Sequence, residues 1–279
     1  MAVLIVLIDC KANCSLMILV LSILFCYNTK VGANEIPVVT ILADDSYPPY
    51  SYVENNELKG IYVDIVRAAA KLFNKKYQVK LAGAPWKRAL MEVKKGRVLG
   101  ILPPYKHIAE RDYIWPYSLA IMSETVVAYC HNDINIIEYF SSTSKQVLPI
   151  LNIGINSGYM IFSEEIKVAI ADKKMLVWEN KSTNANILKL QSQRIDCYLN
   201  DRLSIQYELL RLNKAPELNF DDISESLIVM SQTAHIGYSD SANDDFPFKS
   251  DFIQHMDSAL TQIKATKQYD KIIAKYLSQ

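Results

Sequence analysis

Residues 38–43 read Val38-Val39-Thr40-Ile41-Leu42-Ala43, an apolar run rich in β-branched side chains that suits a strand buried on both faces. Beyond it, Val63, Val66, Ala70 and Phe73 recur at helical spacing, which gives a helix over residues 62–73 one apolar face. A strand feeding a helix is the repeating unit of an open α/β sheet. The unit recurs at once. Residues 77–81 read as a second strand, 86–95 as a helix with Trp86, Leu90 and Val93 on one side and Gly96 as its stop, and 98–102 as a third strand.

The pattern then starts again. Strands are expected near 125–130 and 152–156, a helix from about Ile161, a strand near 175–178, a helix near 185–193 and a strand at 196–200. That repetition implies two similar α/β lobes. The tail, 255–276, reads as helical with a weak break near Thr266, and neither a membrane segment nor a further domain is expected after it.

The 279 residues include 30 Lys+Arg against 30 Asp+Glu, and half are hydrophobic. Balanced charge argues against a nucleic-acid binder, whose phosphate contacts need a basic surplus, and against an acidic disordered tail. The length suffices for one large or two ordinary domains, each with its own core.

Residues 16–26 read LMILVLSILFC, an apolar run short for a bilayer span, and Val31-Gly32-Ala33 follows with small side chains at the positions signal peptidase reads. A secretory signal over 1–33, cut after Ala33, is therefore expected, with Met17 as an alternative start. A retained anchor is the competing reading. Phe25 before Cys26 is too large for a lipid-attachment box. The mature chain would carry 28 basic and 29 acidic residues, and of the five cysteines only Cys130 and Cys197. Their spacing is compatible with one disulfide or with two buried thiols. His107, His131, His235 and His255 lie far apart without ligand-spaced partners, so no metal site is expected.

A set of landmarks runs along the chain in order. Asp44-Asp45-Ser46-Tyr47-Pro48-Pro49-Tyr50 follows the first strand, Leu58-Lys59-Gly60-Ile61-Tyr62-Val63-Asp64 enters the first helix, and Pro85-Trp86 precedes the second. Glu110-Arg111, Ser118, Ser123, Gly154-Ile155-Asn156-Ser157-Gly158, Arg194-Ile195-Asp196, Asn200-Asp201 and the closing Ala259-Leu260 to Lys275-Tyr276 complete it. No single piece is specific. Taken in order, the set resembles the periplasmic solute-binding proteins of polar amino-acid ABC importers, the bacterial extracellular solute-binding family 3.

The resemblance implies an α/β, two-lobe periplasmic binding protein type II fold with two crossing hinge strands, placed near Ser123 and Thr233. Lobe 1 would then comprise 34–123 and 234–279, and lobe 2 would comprise 124–233, with the ligand in the cleft between them. It further implies a periplasmic monomer without cofactor that captures a small polar solute, an amino acid or related carboxylate, and hands it to an ABC permease in the inner membrane. Closure of the lobes on the ligand would be the signal that the permease reads.

A zwitterion needs a bidentate donor for its carboxylate and an anion for its ammonium. Arg111 fits the first role, against an alternative as a solvated arginine paired with Glu110 or Asp112. Asp201, just past a strand end, fits the second, against an alternative as the N-cap of a helix over 202–211. Asp44 and Tyr47 match the family's acidic and aromatic pocket positions, although Asp45 could be the inward acid. Trp86 sits where the family places an apolar or aromatic wall, and a core tryptophan is its alternative.

Departures from the family pattern point to a crowded, aromatic cleft. The loop ahead of Arg111 carries Pro103 and Pro104, which lack N–H donors, where the family has Ser or Thr. Tyr159 and Met160 follow Gly158 where the family often has Thr, and Leu99 replaces a usual Asp. Tyr47, Tyr105, Trp86 and Tyr159 are the expected walls. Two other functions compete: ligand sensing with a membrane receptor, and a periplasmic dehydratase-like enzyme, for which Glu110, Lys106 and His107 would be the acid/base candidates.

Overall fold

The apolar run at 38–43 forms β1 (Val38–Asp44). It alternates: Val39, Ile41 and Ala43 are buried, and Thr40 and Leu42 are half-buried. The computed structural model describes residues 35–140, 148–240 and 246–277, and the leader expected at 1–33 lies outside them. The described residues from Pro37 onwards form one compact unit.

After β1 come three short strands, β2 (Ser46–Tyr47), β3 (Ser51–Glu54) and β4 (Glu57–Lys59), which pair with one another in a small antiparallel sheet. Helix α1 (Ile61–Lys71) then buries Ile61, Ile65, Val66 and Ala69 in the first core. Its entry depends on Gly60, at φ 128°, where an added Cβ would lie 2.2 Å from the Tyr50 carbonyl oxygen. Next are β5 (Gln78–Ala84), α2 (Trp86–Lys94), β6 (Gly100–Leu102) and β7 (Ile114–Tyr117). β1 lies between β5 and β6, parallel to both.

The second half begins with β8 (Met122–His131), followed by a 3-10 turn at Ile136–Phe140, β9 (Leu151–Asn156), α3 (Glu164–Ala171), β10 (Met175–Asn180), α4 (Thr183–Gln191), β11 (Cys197–Asp201) and α5 (Arg202–Leu212). The chain then returns through β12 (Ile223–Ala234) and β13 (Gly237–Ser239) to α6 (Lys249–Lys264) and α7 (Lys267–Leu277). Two five-stranded sheets result, ordered β5-β1-β6-β13-β7 and β10-β9-β11-β8-β12. The chain passes between them twice, and the passages run side by side, Met122 pairing with Ala234 and Ser123 with Thr233.

The expected strand–helix order is present, with ends displaced by a few residues. The helix expected from Ile161 starts at Glu164 because the Ser163 side chain accepts the Ile166 N–H and caps it there. β12 is not evident from sequence. Register shifts between Glu225 and Leu227 and between Ile228 and Met230 break the alternation that marks a strand. Cys130 and Cys197 sit directly opposite one another on β8 and β11 and form a disulfide, the pairing that their spacing alone left open.

Candidate functional site

Sheet geometry brings the strand ends together. Asp44 ends β1, Arg111 lies in the loop between β6 and β7, and Tyr159 follows the end of β9 in the other sheet. These three, with Tyr47, Trp86, Pro103, Tyr105, His107, Met160 and Ile161, line one cavity of about 30 Å³. Strand C-terminal ends in α/β sheets are where loops from neighbouring strands converge, which is why residues so distant in sequence meet here.

Arg111 is 5% exposed, and its Nη2 donates to the Gly158 carbonyl oxygen at 2.7 Å. Its guanidinium carbon stands 5.8 Å from the Trp86 ring centre, within cation–π range. Among the described residues it forms no ion pair with a carboxylate, neither Glu110 nor Asp112 included. Burial pulls its proton affinity down. A buried guanidinium with one carbonyl partner has unmet demand for an anion.

Across the cavity, the buried Asp44 carboxylate accepts from the Ser46 N–H at 2.9 Å and from the Tyr159 hydroxyl at 2.8 Å. Burial pushes it up to about 7. Tyr159 stands edge-on to Tyr47, with ring centres 5.5 Å apart, and to Trp86 at 6.4 Å. Asp45, the alternative inward acid, lines neighbouring grooves instead of this cavity.

Asp201 does not join them. It is 2% exposed and caps α5, accepting the Ser204 N–H at 3.0 Å, the Thr125 N–H at 3.1 Å and the Tyr50 hydroxyl at 2.8 Å. It is absent from the lining of this cavity, and the acid that shares the cavity with Arg111 is Asp44. Its three donors come from the first turn of α5, from β8 and from the loop after β2. Of the acid/base candidates, Glu110 and Lys106 are exposed and only His107 reaches the cavity.

Sequence reasoning missed Glu124. It is 2% exposed at the start of the crossing strand β8, and the hydroxyls of Tyr47, Tyr62 and Tyr105 all donate to it, the latter two at 2.5 Å. Burial, reinforced by the charge of Asp201, outweighs these donors and raises it to about 8. A lone acid just ahead of the apolar run 125–130 was the available signal. Tyr47 and Tyr105 thus face the cavity with their rings while their hydroxyls are held behind it. Among the described residues no three His, Cys, Asp or Glu side chains converge as metal ligands.

Two α/β sheets connected by paired crossing strands, with a buried cation and a buried acid at the strand ends between them, define a type II binding-protein fold. The chain belongs to the bacterial extracellular solute-binding proteins, family 3, whose model matches residues 39–279. Comparison with curated proteins returns no match. Among solved structures, the substrate-binding protein of an amino acid ABC transporter is similar at 17% identity and a TM-score of 0.65, covering 87% of this chain and all of the other. A histidine kinase sensor domain with similarity to periplasmic binding proteins follows at 16% identity and a TM-score of 0.67, covering 86% of this chain and 96% of that one. An ancestral amino acid-binding protein described as a precursor of cyclohexadienyl dehydratase has 14% identity and a TM-score of 0.63, over 86% and 95% of the two chains.

Proposed function

We propose that this protein captures a small zwitterionic solute, an amino acid or close relative, with the solute carboxylate on Arg111 and its ammonium on Asp44. One observation carries the reading: Arg111 is buried beside a cavity with no carboxylate of the described residues paired to it. An anionic ligand group would meet that demand with a charge-assisted, bidentate contact. Trp86, Tyr47 and Tyr105 would wall the solute. Lobe 1 is assigned to 34–123 and 234–279 and lobe 2 to 124–233, which the membership of the two sheets supports. Closure about the paired passages at Ser123 and Thr233 would present the loaded form to an ABC permease.

The chain is read as a periplasmic monomer freed from its leader after Ala33. The Cys130–Cys197 bridge supports an oxidising compartment. Binding, and not turnover, is the assigned activity, which membership of a solute-binding family supports. The similar sensor domain favours one other reading, in which the loaded form signals to a membrane receptor.

A thermal-shift screen of the mature protein against amino acids, small carboxylates and polyamines tests the proposal, since a ligand of the folded form raises the melting temperature. The best amino-acid hit should lose its shift in Arg111→Ala. A shift of full size in that variant removes Arg111 from the site.

A further inference from the structure

The Arg111 cavity, at about 30 Å³, has room for about two water molecules, too little for an amino acid. Beside it lies a second cavity of about 320 Å³, within the size range of small-molecule sites. Asp44, Trp86 and Tyr159 line both. Tyr159 therefore borders both spaces, its hydroxyl on Asp44 and its ring against Trp86 and Tyr47.

The preceding residue completes the arrangement. The Gly158 carbonyl supplies an acceptor to Arg111, while the Tyr159 phenol supplies a donor to Asp44. A zwitterion would bring the same complement: an acceptor for the cation and a donor for the acid. Gly158 can approach Arg111 in this way because it adopts φ +81° and packs on α2, where an added Cβ would lie 3.0 Å from Lys87 Cγ.

We propose that Gly158-Tyr159 is a built-in surrogate for the ligand, and that the true ligand displaces Tyr159 and merges the two cavities. The proposal rests on the zwitterion reading above and deepens it by saying what holds Arg111 and Asp44 before the solute arrives. The larger cavity is bordered by Asn156, Ser157, Glu179, Asn180 and Lys181. Once merged, the two spaces would give the solute's side chain amide, hydroxyl and charged groups to meet.

Tyr159→Phe keeps the ring and deletes only the hydroxyl that competes for Asp44. In calorimetry with L-glutamine, L-arginine, L-glutamate and glycine as probes, the wild type should bind at least one of the long polar amino acids about tenfold more tightly than glycine. Tyr159→Phe should bind that probe about two- to tenfold more tightly still, a hydrogen bond's worth of competition having been removed. Weaker binding by the variant makes the phenol a ligand contact and overturns the proposal. Equal binding of glycine overturns the merging of the two cavities, since a solute that reaches no further than Arg111 and Asp44 would then do as well. Absence of binding by all four probes defeats the zwitterion reading itself, whereas a probe bound equally well by the wild type and Tyr159→Phe overturns the surrogate alone.

Discussion

The Tyr50 hydroxyl donates to Oδ1 of Asp201 at 2.8 Å and ties the turn after β2 to the residue that caps α5. Ser204 binds the same loop, its hydroxyl donating to the Pro48 carbonyl at 2.7 Å. Asp201 is thus committed to joining the two halves of the fold.

Asp201→Ala is expected to lower unfolding free energy by roughly 2–4 kcal/mol, because it removes a helix cap and leaves the Tyr50 hydroxyl buried without its acceptor. Urea denaturation measures the loss, and titration with a ligand of the wild type measures affinity. Normal stability with lost affinity would put Asp201 back in the binding site.

The buried acids set a pH dependence. Glu124 keeps its proton to about pH 8 and Asp44 to about pH 7, chiefly because burial penalises their charges. In the unfolded chain both ionise near pH 4. Between those limits the folded protein binds more protons, so stability falls as pH rises, and their contribution, complete below about pH 4, is lost by about pH 8. Denaturation midpoints taken from pH 5 to 8.5 should decline, and in Glu124→Gln the decline should be shallower and should end near pH 7. A midpoint that climbs over this range contradicts the assignment.

The disulfide closes a loop across 67 positions of sequence. Replacing both Cys130 and Cys197 by Ala should cost about 2–5 kcal/mol, by the general magnitude for such bridges. The denaturation midpoint of the double variant, compared with oxidised wild type, reads this directly. Equal midpoints would mean the bridge contributes nothing.

Gly60→Ala should be among the more damaging single changes. Its backbone has a positive φ, and its new Cβ would meet the Tyr50 main chain, which cannot move aside as a flexible side chain could. A loss of roughly 2–5 kcal/mol is expected by thermal or urea unfolding. Wild-type stability in this variant would show that the turn between Tyr50 and α1 relaxes freely.

Much of the fold was legible in the chain because apolar periodicity is local. The run at 38–43 and the face of Val63, Val66 and Ala70 announce a strand and a helix wherever they end up in space. β12 escaped because its bulges destroy the alternation along its length. The site was only partly legible. Arg111, Asp44, Tyr47, Trp86, Tyr105 and Tyr159 all line one cavity, whereas Asp201, as plausible by position past a strand end, is held outside it by Tyr50, Thr125 and the start of α5. Glu124 had no partner nearby in sequence to mark it, since Tyr47 and Tyr62 approach from 77 and 62 positions away.

The amino-acid sequence alone determined that two α/β halves would form and that Asp44 and Asp201 would stand at strand ends, because burial pattern and chain order are properties of neighbouring residues. Tertiary structure alone decided which acid shares a cavity with Arg111, that Tyr159 would settle on that acid, and that Cys130 would face Cys197. Those outcomes depend on strand register and on how two sheets meet, and both are fixed by packing between segments far apart in the chain.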